Sequence, residues 1–157
     1  MRTGIGYDLH RIAADRPLVL GGVKVSAPFG LAGHSDADCV LHALCDSLLG
    51  AVGADDIGTY FPDTDPANAG ADSRRFVRHA LEMVRARGYR ISNVDCVIMA
   101  ERPRLGPLKP AIRESIEGML ELPEGSVGVK AKTGEEVGAI GRGEAIAAMV
   151  TVLLIRD

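Results

Sequence analysis

Three side chains near the start of the chain could together bind a divalent metal ion. Asp8 and His10 lie two residues apart in a segment with strand character, so both side chains leave the same face. His42 lies on a predicted helix. Two imidazoles and one carboxylate suit zinc, and three protein ligands leave one coordination position open, as in catalytic sites. Unrelated surface histidines remain the alternative, because the Asp-x-His pattern is common.

A polar segment of His34, Ser35 and Asp36 directly precedes the helix that carries His42. Free backbone N–H groups at a helix start attract phosphate, and the imidazole and hydroxyl add donors. An ordinary helix N-cap is the simpler interpretation. Asp46, one turn after His42, could orient the imidazole or be an exposed carboxylate.

A loop rich in Asp, Pro and Gly is predicted over residues 54–72, and a loop of this length is usually functional or disordered. Its carboxylates at Asp55, Asp56, Asp63 and Asp65 could accept hydrogen bonds from a polyol or bind a cation. A solvated acidic loop is the alternative.

A third polar group ends a predicted strand near the end of the chain. Lys130, Lys132 and Thr133 can hold phosphate oxygens, and Glu135 beside a diphosphate would suit Mg²⁺. The glycines that follow match neither the P-loop nor the dinucleotide fingerprint.

The elements that must position these residues follow from hydrophobic periodicity and from turn residues. Strands are predicted at 3–10, 94–100, 127–132 and 145–155, a hairpin or bulged strand at 18–25, and helices at 36–51, 73–88 and 107–122. The strand at 145–155 is apolar enough to be buried on both faces. This order favours an α+β fold, with helices layered on one face of a mixed sheet. An oligomer would cover the other face.

Length, charge and composition exclude several classes of protein. A chain of 157 residues favours a single domain over 1–157. A net charge of −3 and few aromatic residues argue against binding nucleic acid, and no apolar run approaches the roughly 20 residues of a membrane span. Three cysteines without a CxxC pair indicate reduced thiols in a cytoplasmic protein.

Five segments together resemble the 2-C-methyl-D-erythritol 2,4-cyclodiphosphate synthase family. They are GIGYDLHR at 4–11, GHSDADCVLHALCDSLLG at 33–50, DIGTYFPDTDPANAGADS at 56–73, AERPR at 100–104, and the segment 130–147. The resemblance runs nearly end to end, in the family's order and spacing. It implies a lyase of the non-mevalonate isoprenoid pathway. Its reaction converts 4-diphosphocytidyl-2-C-methyl-D-erythritol 2-phosphate to the cyclic diphosphate and CMP by intramolecular phosphoryl transfer.

The resemblance also implies a role for each group of residues. Zinc or manganese would bind Asp8, His10 and His42, and Mg²⁺ would bind Glu135. His34 and Thr133 would stabilise the transition state. The substrate-binding residues would be Asp8, His10, His34, Ser35, Asp56, Ile57, Gly58, Phe61, Pro62, Asp63, Thr64, Asp65, Ala100, Glu101, Arg102, Pro103, Arg104, Leu105, Gly106, Ala131, Lys132, Thr133, Gly134, Glu135, Ala139 and Arg142. A homotrimer would form with its sheets facing the threefold axis and its active sites between subunits.

The sequence departs from the family pattern at a few positions. Lys132 and Gly134 replace hydroxyl residues, and Gly106 replaces a larger apolar residue of the cytosine pocket. Ala139 stands where a phenylalanine is common; in the family that ring lines an axial cavity for isoprenoid diphosphates, beside Arg142. Two alternatives to the synthase are a metal-dependent phosphohydrolase and a non-catalytic trimeric protein that binds nucleotides or isoprenoids.

Overall fold

The computed structural model describes residues 1–156. The three long helices pack on one face of a mixed sheet. The strands are β1 (Arg2–Ala13), β2 (Leu18–Leu20), β3 (Val23–Val25), β4 (Gly30–Leu31), β5 (Tyr89–Met99), β6 (Val127–Lys132) and β7 (Ala145–Arg156). The helices are α1 (Cys39–Ala51), α2 (Ile57–Tyr60), α3 (Arg74–Ala86), α4 (Lys109–Leu120) and α5 (Gly138–Gly141), with 3₁₀ turns at Pro66–Asn68 and Gly106–Leu108.

The main sheet has five strands in the order β4-β1-β7-β5-β6. β5 and β6 run parallel, whereas the other neighbouring pairs are antiparallel. β2 and β3 form a separate hairpin that turns at Gly21 and Gly22, both with positive φ. These features confirm the predicted α+β fold, the mixed sheet and the hairpin.

Two glycines on β1 allow α1 to lie directly against the strand. A Cβ atom at Gly4 would lie 1.9 Å from the carbonyl oxygen of Ser47, and one at Gly6 would lie 2.0 Å from that of Ala43. Larger residues would therefore push the helix away from the sheet. Because α1 carries His42, this close approach brings its imidazole to the part of β1 that carries Asp8.

The first long helix begins at Cys39, so the prediction of a start at Asp36 was wrong by three residues. Asp38 is the N-cap: its Oδ1 accepts hydrogen bonds from the backbone N–H groups of Val40 and Leu41 at 3.1 Å. The preceding Ala37 has a φ of 58°, which no helix can include. The carboxylate of Asp38 also accepts the backbone N–H groups at the hairpin turn, and so ties β2 and β3 to α1.

The sheet face opposite the helices is apolar and open in the single chain. Ile5 is 63% exposed, Tyr7 51%, Leu9 43% and Met149 39%. On β7 the side chains from Met149 onward alternate between buried and more exposed. The prediction that this strand is buried on both faces therefore holds for residues 145–148, which are all buried, and is wrong from Met149 onward, because the long helices cover only one face there.

The segment 54–72 has more regular structure than a plain loop. Asp56 caps α2 by accepting the N–H group of Thr59, and Asp65 caps a 3₁₀ turn in the same way. Short polar side chains thus stabilise single helical turns that periodicity cannot reveal. Within residues 1–156 no helix is long and apolar enough to cross a membrane.

Candidate active site

Three potential metal ligands from β1 and α1 converge at one end of a cavity. Asp8 Oδ2 lies 2.8 Å from His10 Nε2 and 3.0 Å from His42 Nδ1, and the two ring nitrogens are 3.2 Å apart. A tetrahedral zinc ion with bonds of about 2.0–2.1 Å separates its ligands by about 3.3 Å. All three residues are half-buried, and together they fit a divalent ion after small shifts.

The hydrogen bonds of His10 leave its metal-facing nitrogen unprotonated in the neutral ring. Nδ1 lies 2.7 Å from the carbonyl oxygen of Ala32, which can only accept, so Nδ1 carries the proton. Burial lowers the pKa of His10, but the carboxylate of Asp8, which stabilises the protonated ring, outweighs burial and the net pKa is raised. Burial likewise opposes ionisation of Asp8, yet the two neighbouring imidazoles outweigh burial and hold the pKa of Asp8 well below the usual range. Asp8 therefore stays an anionic ligand.

The second ring nitrogen of His42 faces two hydroxyl groups. Nε2 lies 2.9 Å from Ser73 Oγ and 3.1 Å from Ser35 Oγ. Asp46 was expected either to orient this ring or to be an exposed carboxylate, and both interpretations were wrong. It is half-buried, and its Oδ1 accepts the backbone N–H of Ile57 at 2.8 Å, which fixes the start of α2.

The segment before α1 forms the opposite wall of the cavity. His34 is exposed there, while Ser35 is buried and its hydroxyl accepts the backbone N–H of Ala37. Arg16 donates hydrogen bonds of 2.6 Å to the carbonyl oxygens of Gly33 and Ser35, on both sides of His34. No pattern in the sequence pointed to Arg16, because its partners lie 17 and 19 residues further along.

The cavity has a volume of about 440 Å³ and contains part of the predicted substrate loop. Its lining residues are Asp8, His10, Gly33, His34, Ser35, His42, Ile57, Gly58, Phe61, Asp63, Asn68 and Phe76. The predicted residues Pro62, Thr64 and Asp65 are exposed further along the loop. We call this cavity with its three ligands the metal half.

A second cavity of about 440 Å³ lies at the ends of β5 and β6. It is lined by Ala100, Glu101, Pro103, Arg104, Leu105, Gly106, Pro107, Lys109, Ala131, Lys132 and Thr133. Most of the residues predicted to hold cytidine are therefore neighbours. Arg102 is not among the lining residues; its guanidinium lies 5.7 Å from the ring centroid of Phe29. We call this cavity, with residues 133–135, the nucleotide half.

Side-chain contacts fix the loop that follows β6. Glu101 Oε2 accepts the backbone N–H of Gly134 at 3.0 Å, and Thr133 Oγ1 donates a hydrogen bond to Glu135. Lys130 instead forms an ion pair with Asp95, so one of the two cations expected to hold phosphate is already paired. Lys132 is exposed.

A single chain does not bring the two halves together. Leu9, Ala147, Met99 and Lys132 lie in one row across β1, β7, β5 and β6. Three strand spacings of about 4.8 Å each separate the ends of this row by about 14 Å. The metal ligands also lie on the helix-covered face, whereas Lys132 alternates with the inward-facing Ala131.

A smaller hollow of about 260 Å³ surrounds Ala139 on the open side of the sheet. Leu9, Met99 and Val137 contribute apolar walls. Arg142, predicted to contact ligand nearby, donates a 2.8 Å hydrogen bond to Glu144.

Comparisons with known proteins agree across the whole chain. The model of the YgbB family matches residues 1–155. The 2-C-methyl-D-erythritol 2,4-cyclodiphosphate synthase of Geotalea uraniireducens is 50% identical over 156 residues, which are 99% of this chain and 99% of that protein. A solved structure of 2C-methyl-D-erythritol-2,4-cyclodiphosphate synthase in a CDP-bound form is 40% identical, with a TM-score of 0.91, over 98% of this chain and all of that chain. The bifunctional IspDF from Campylobacter jejuni is also 40% identical, with a TM-score of 0.95 over 99% of this chain, which spans 42% of that longer protein.

Proposed function

This chain belongs to the YgbB family, and we propose that it acts as a 2-C-methyl-D-erythritol 2,4-cyclodiphosphate synthase. Its substrate is then 4-diphosphocytidyl-2-C-methyl-D-erythritol 2-phosphate, whose 2-phosphate attacks the β-phosphorus and releases CMP. The observation that carries the proposal is the cluster of Asp8, His10 and His42, whose ligand atoms lie 2.8–3.2 Å apart at one end of a cavity. The proposed enzyme is cytoplasmic and folds as one domain.

The difficulty of this reaction is that one anion must approach another. Asp8, His10 and His42 would hold a divalent ion, whose positive charge would lower this barrier. His34 lies exposed beside the three ligands and can donate a hydrogen bond to a phosphate oxygen. Arg16 fixes the backbone on both sides of His34, so that little reorganisation is needed when substrate binds.

The erythritol part fits the substrate loop. Ile57, Gly58, Phe61 and Asp63 line the cavity, and the carboxylate of Asp63 can accept hydrogen bonds from sugar hydroxyls. Asp46 holds the first turn of this loop through the N–H of Ile57. The loop is thereby tied to the same helix as the metal ligand.

The nucleotide half is proposed to bind the cytidine and the second cation. Glu135 is the exposed carboxylate that would hold Mg²⁺ beside the diphosphate, and Thr133 supplies a hydroxyl to the transferring phosphate. Backbone groups of residues 100–105 would recognise cytosine. The ring of Pro103 restricts the backbone just after β5. The Ala100 N–H already donates to the carbonyl of Lys132, and the Leu105 carbonyl accepts the N–H of Leu108, so the backbone groups between them would meet the pyrimidine edge.

We infer that the active site is completed by a neighbouring chain in a homotrimer. Two features support this: the sheet row that runs from β1 to β6 is three strand spacings, about 14 Å, wide, and the open face exposes Ile5, Tyr7, Leu9 and Met149. A threefold arrangement would bury this apolar face and would bring the nucleotide half of one chain to the metal half of the next.

The proposed function is tested by incubating the chain with its cytidylyl substrate, Zn²⁺ and Mg²⁺, and following ³¹P signals and CMP. Equal amounts of CMP and cyclic diphosphate are expected, with none from His42→Ala. Release of inorganic phosphate would instead support a phosphohydrolase, which an open coordination position also permits. No product at all, from a protein that binds cytidine nucleotides, would support a binding protein.

A further inference from the structure

A serine at the start of α3 does not do what serine usually does there. Ser73 occupies the N-cap position but makes no side-chain hydrogen bond to the first turn of the helix. Its backbone is already helical, with φ −64° and ψ −14°, and its side chain is fully buried. An N-cap serine normally stabilises its helix by accepting a backbone N–H. The hydroxyl of Ser73 therefore serves another partner.

Ser73 is the middle member of a hydrogen-bonded chain of three side chains, with Asp36 on one side and His42 on the other. The hydroxyl of Ser73 lies within hydrogen-bond distance of Asp36 Oδ1, and the backbone N–H of Ser73 donates to Asp36 Oδ2 at 3.1 Å. On its other side, Ser73 Oγ lies 2.9 Å from His42 Nε2. Residues from three separate segments thus form one line that ends on a candidate metal ligand.

The direction of each proton in this line follows from the groups themselves. An ionised carboxylate can only accept, so the hydroxyl proton of Ser73 points to Asp36. The oxygen of Ser73, 2.9 Å from Nε2, then offers only lone pairs to His42, so Nε2 carries a proton. Ser35 Oγ, 3.1 Å from the same nitrogen, already accepts the backbone N–H of Ala37 and keeps a lone pair that can share this ring proton. In a neutral imidazole this leaves Nδ1 unprotonated, and Nδ1 is the atom that faces Asp8 and His10.

We propose that Asp36 and Ser73 are positioning residues that hold His42 in the tautomer with Nδ1 free to bind the metal ion. This inference rests on the metal site of the proposed function and deepens it. The backbone of the same two loops is paired as well, since Asp36 N–H donates to the carbonyl of Ala71 and Gly70 N–H to that of His34. The tautomer of His42 is therefore set only when the end of the substrate loop lies in place.

The Asp36→Asn variant makes the sharpest chemical test. If the new amide presents its NH₂ group to Ser73, the hydroxyl proton turns towards His42 Nε2. The ring proton then moves to Nδ1, where it opposes metal binding. Ser73→Ala removes the acceptor altogether, whereas Ser73→Thr keeps the hydroxyl. Asp72→Asn is the matched control, because Asp72 accepts an N–H at the same helix start and makes no contact with His42.

Zn²⁺ affinity of the metal-free proteins is measured by competition with a chelator. Ser73→Ala and Asp36→Asn are expected to bind Zn²⁺ about 10–100-fold more weakly, with Ser73→Thr and Asp72→Asn close to the unchanged chain. Equal affinity in all five proteins overturns the proposal, and would mean that Ser35 alone orients the ring. A loss in Asp72→Asn as large as in Ser73→Ala also overturns it, because the effect would then come from the helix start.

A second measurement needs no substitution and so does not depend on the folding of a variant. ¹⁵N NMR of the zinc-bound chain labelled at histidine should show His42 protonated at Nε2 and metal-bound at Nδ1. Protonation at Nδ1 with zinc at Nε2 would overturn the proposal. If the unchanged chain binds no Zn²⁺ at all, the metal site of the proposed function fails; if it binds Zn²⁺ only as tightly as the variants do, only the role of Asp36 and Ser73 fails.

Discussion

The metal half and the nucleotide half of this chain are built in different ways. In the metal half, half-buried ligands from β1 and α1 are held by contacts from other segments, such as Ala32 and Ser73. In the nucleotide half, exposed side chains lie at two strand ends and on a loop where Glu135 and Glu136 have positive φ. The difference teaches that a single chain already brings three candidate cation ligands together, whereas the cavity proposed to bind nucleotide is left largely exposed.

The largest effect should come from removing one ligand of the metal half. We expect His42→Ala to lose bound zinc and to reduce CMP formation about 10³-fold or more, because the lost charge stabilisation amounts to several kcal/mol. Metal analysis and product assays check both effects. His79→Gln is the control for metal content, since His79 lies between aromatic rings away from Asp8. Full zinc retention in His42→Ala would break the assignment of the metal half.

The next largest effect tests how the sheet positions the metal half. Gly6→Ala places a methyl group where the carbonyl of Ala43 lies and must displace α1, at a cost of about 3 kcal/mol in unfolding free energy. Zinc affinity should fall as well, because His42 moves with the helix. Gly50→Ala on the same helix meets nothing closer than 3.9 Å and should be neutral or stabilising by up to about 1 kcal/mol. Unchanged stability in Gly6→Ala would contradict the close approach.

The free energy of unfolding should depend on pH through Asp38, the N-cap of α1. Burial raises the pKa of Asp38 to about 6, against opposing hydrogen bonds from backbone N–H groups and a usual value of 3.8. The native state thus holds this proton more tightly than the unfolded chain. The stabilising contribution is complete below about pH 4 and is lost as the pH rises through about 6.

The test of Asp38 compares the metal-free chain with Asp38→Asn by denaturant unfolding. Between about pH 4 and pH 7 the unchanged chain should lose up to about 3 kcal/mol relative to the variant. Parallel pH profiles for the two proteins would show that the buried carboxylate titrates normally.

The smallest effect should be confined to the nucleotide half. Glu101→Ala removes the acceptor for the N–H of Gly134, a charge-assisted bond that contributes about 2 kcal/mol. We expect kcat/KM to fall about 30-fold while zinc content stays the same. Glu114→Ala, an exposed glutamate on α4, is the control. A loss of zinc in Glu101→Ala would show that the two halves are not independent in structure.

Most elements could be predicted from the sequence, because their signals are local. The alternating pattern of 3–10 predicted β1, and two adjacent glycines predicted the hairpin turn that Gly21 and Gly22 form. The start of α1 was misplaced, because several capping residues stand in a row and only the contacts of Asp38 decide among them. The turns within 54–72 were missed for the same reason.

The cluster of candidate metal ligands was also predictable, but the residues that support it were not. Asp8 and His10 share a strand face by simple alternation, His42 on the predicted helix completes the set of ligand types, and the resemblance supports all three. Ser73 lies 31 residues from His42 in the sequence, and an N-cap was the obvious prediction for it. Asp46 was misassigned because helical spacing cannot show that a loop 11 residues away takes up its carboxylate.

The central claim is that the metal half of one chain and the nucleotide half of another form one active site, and mixed oligomers test it most directly. Asp8→Ala and Glu135→Ala proteins, each inactive alone, are unfolded and refolded together in equal amounts. In a cyclic trimer every mixed assembly contains one intact pair of halves among its three sites. Because random mixing makes about three quarters of the trimers mixed, about one quarter of the wild-type activity should return. A mixture of Asp8→Ala and His42→Ala, both defective in the metal half, should regain none. If native mass spectrometry finds mixed trimers and the first mixture stays as inactive as its parents, the shared site is contradicted.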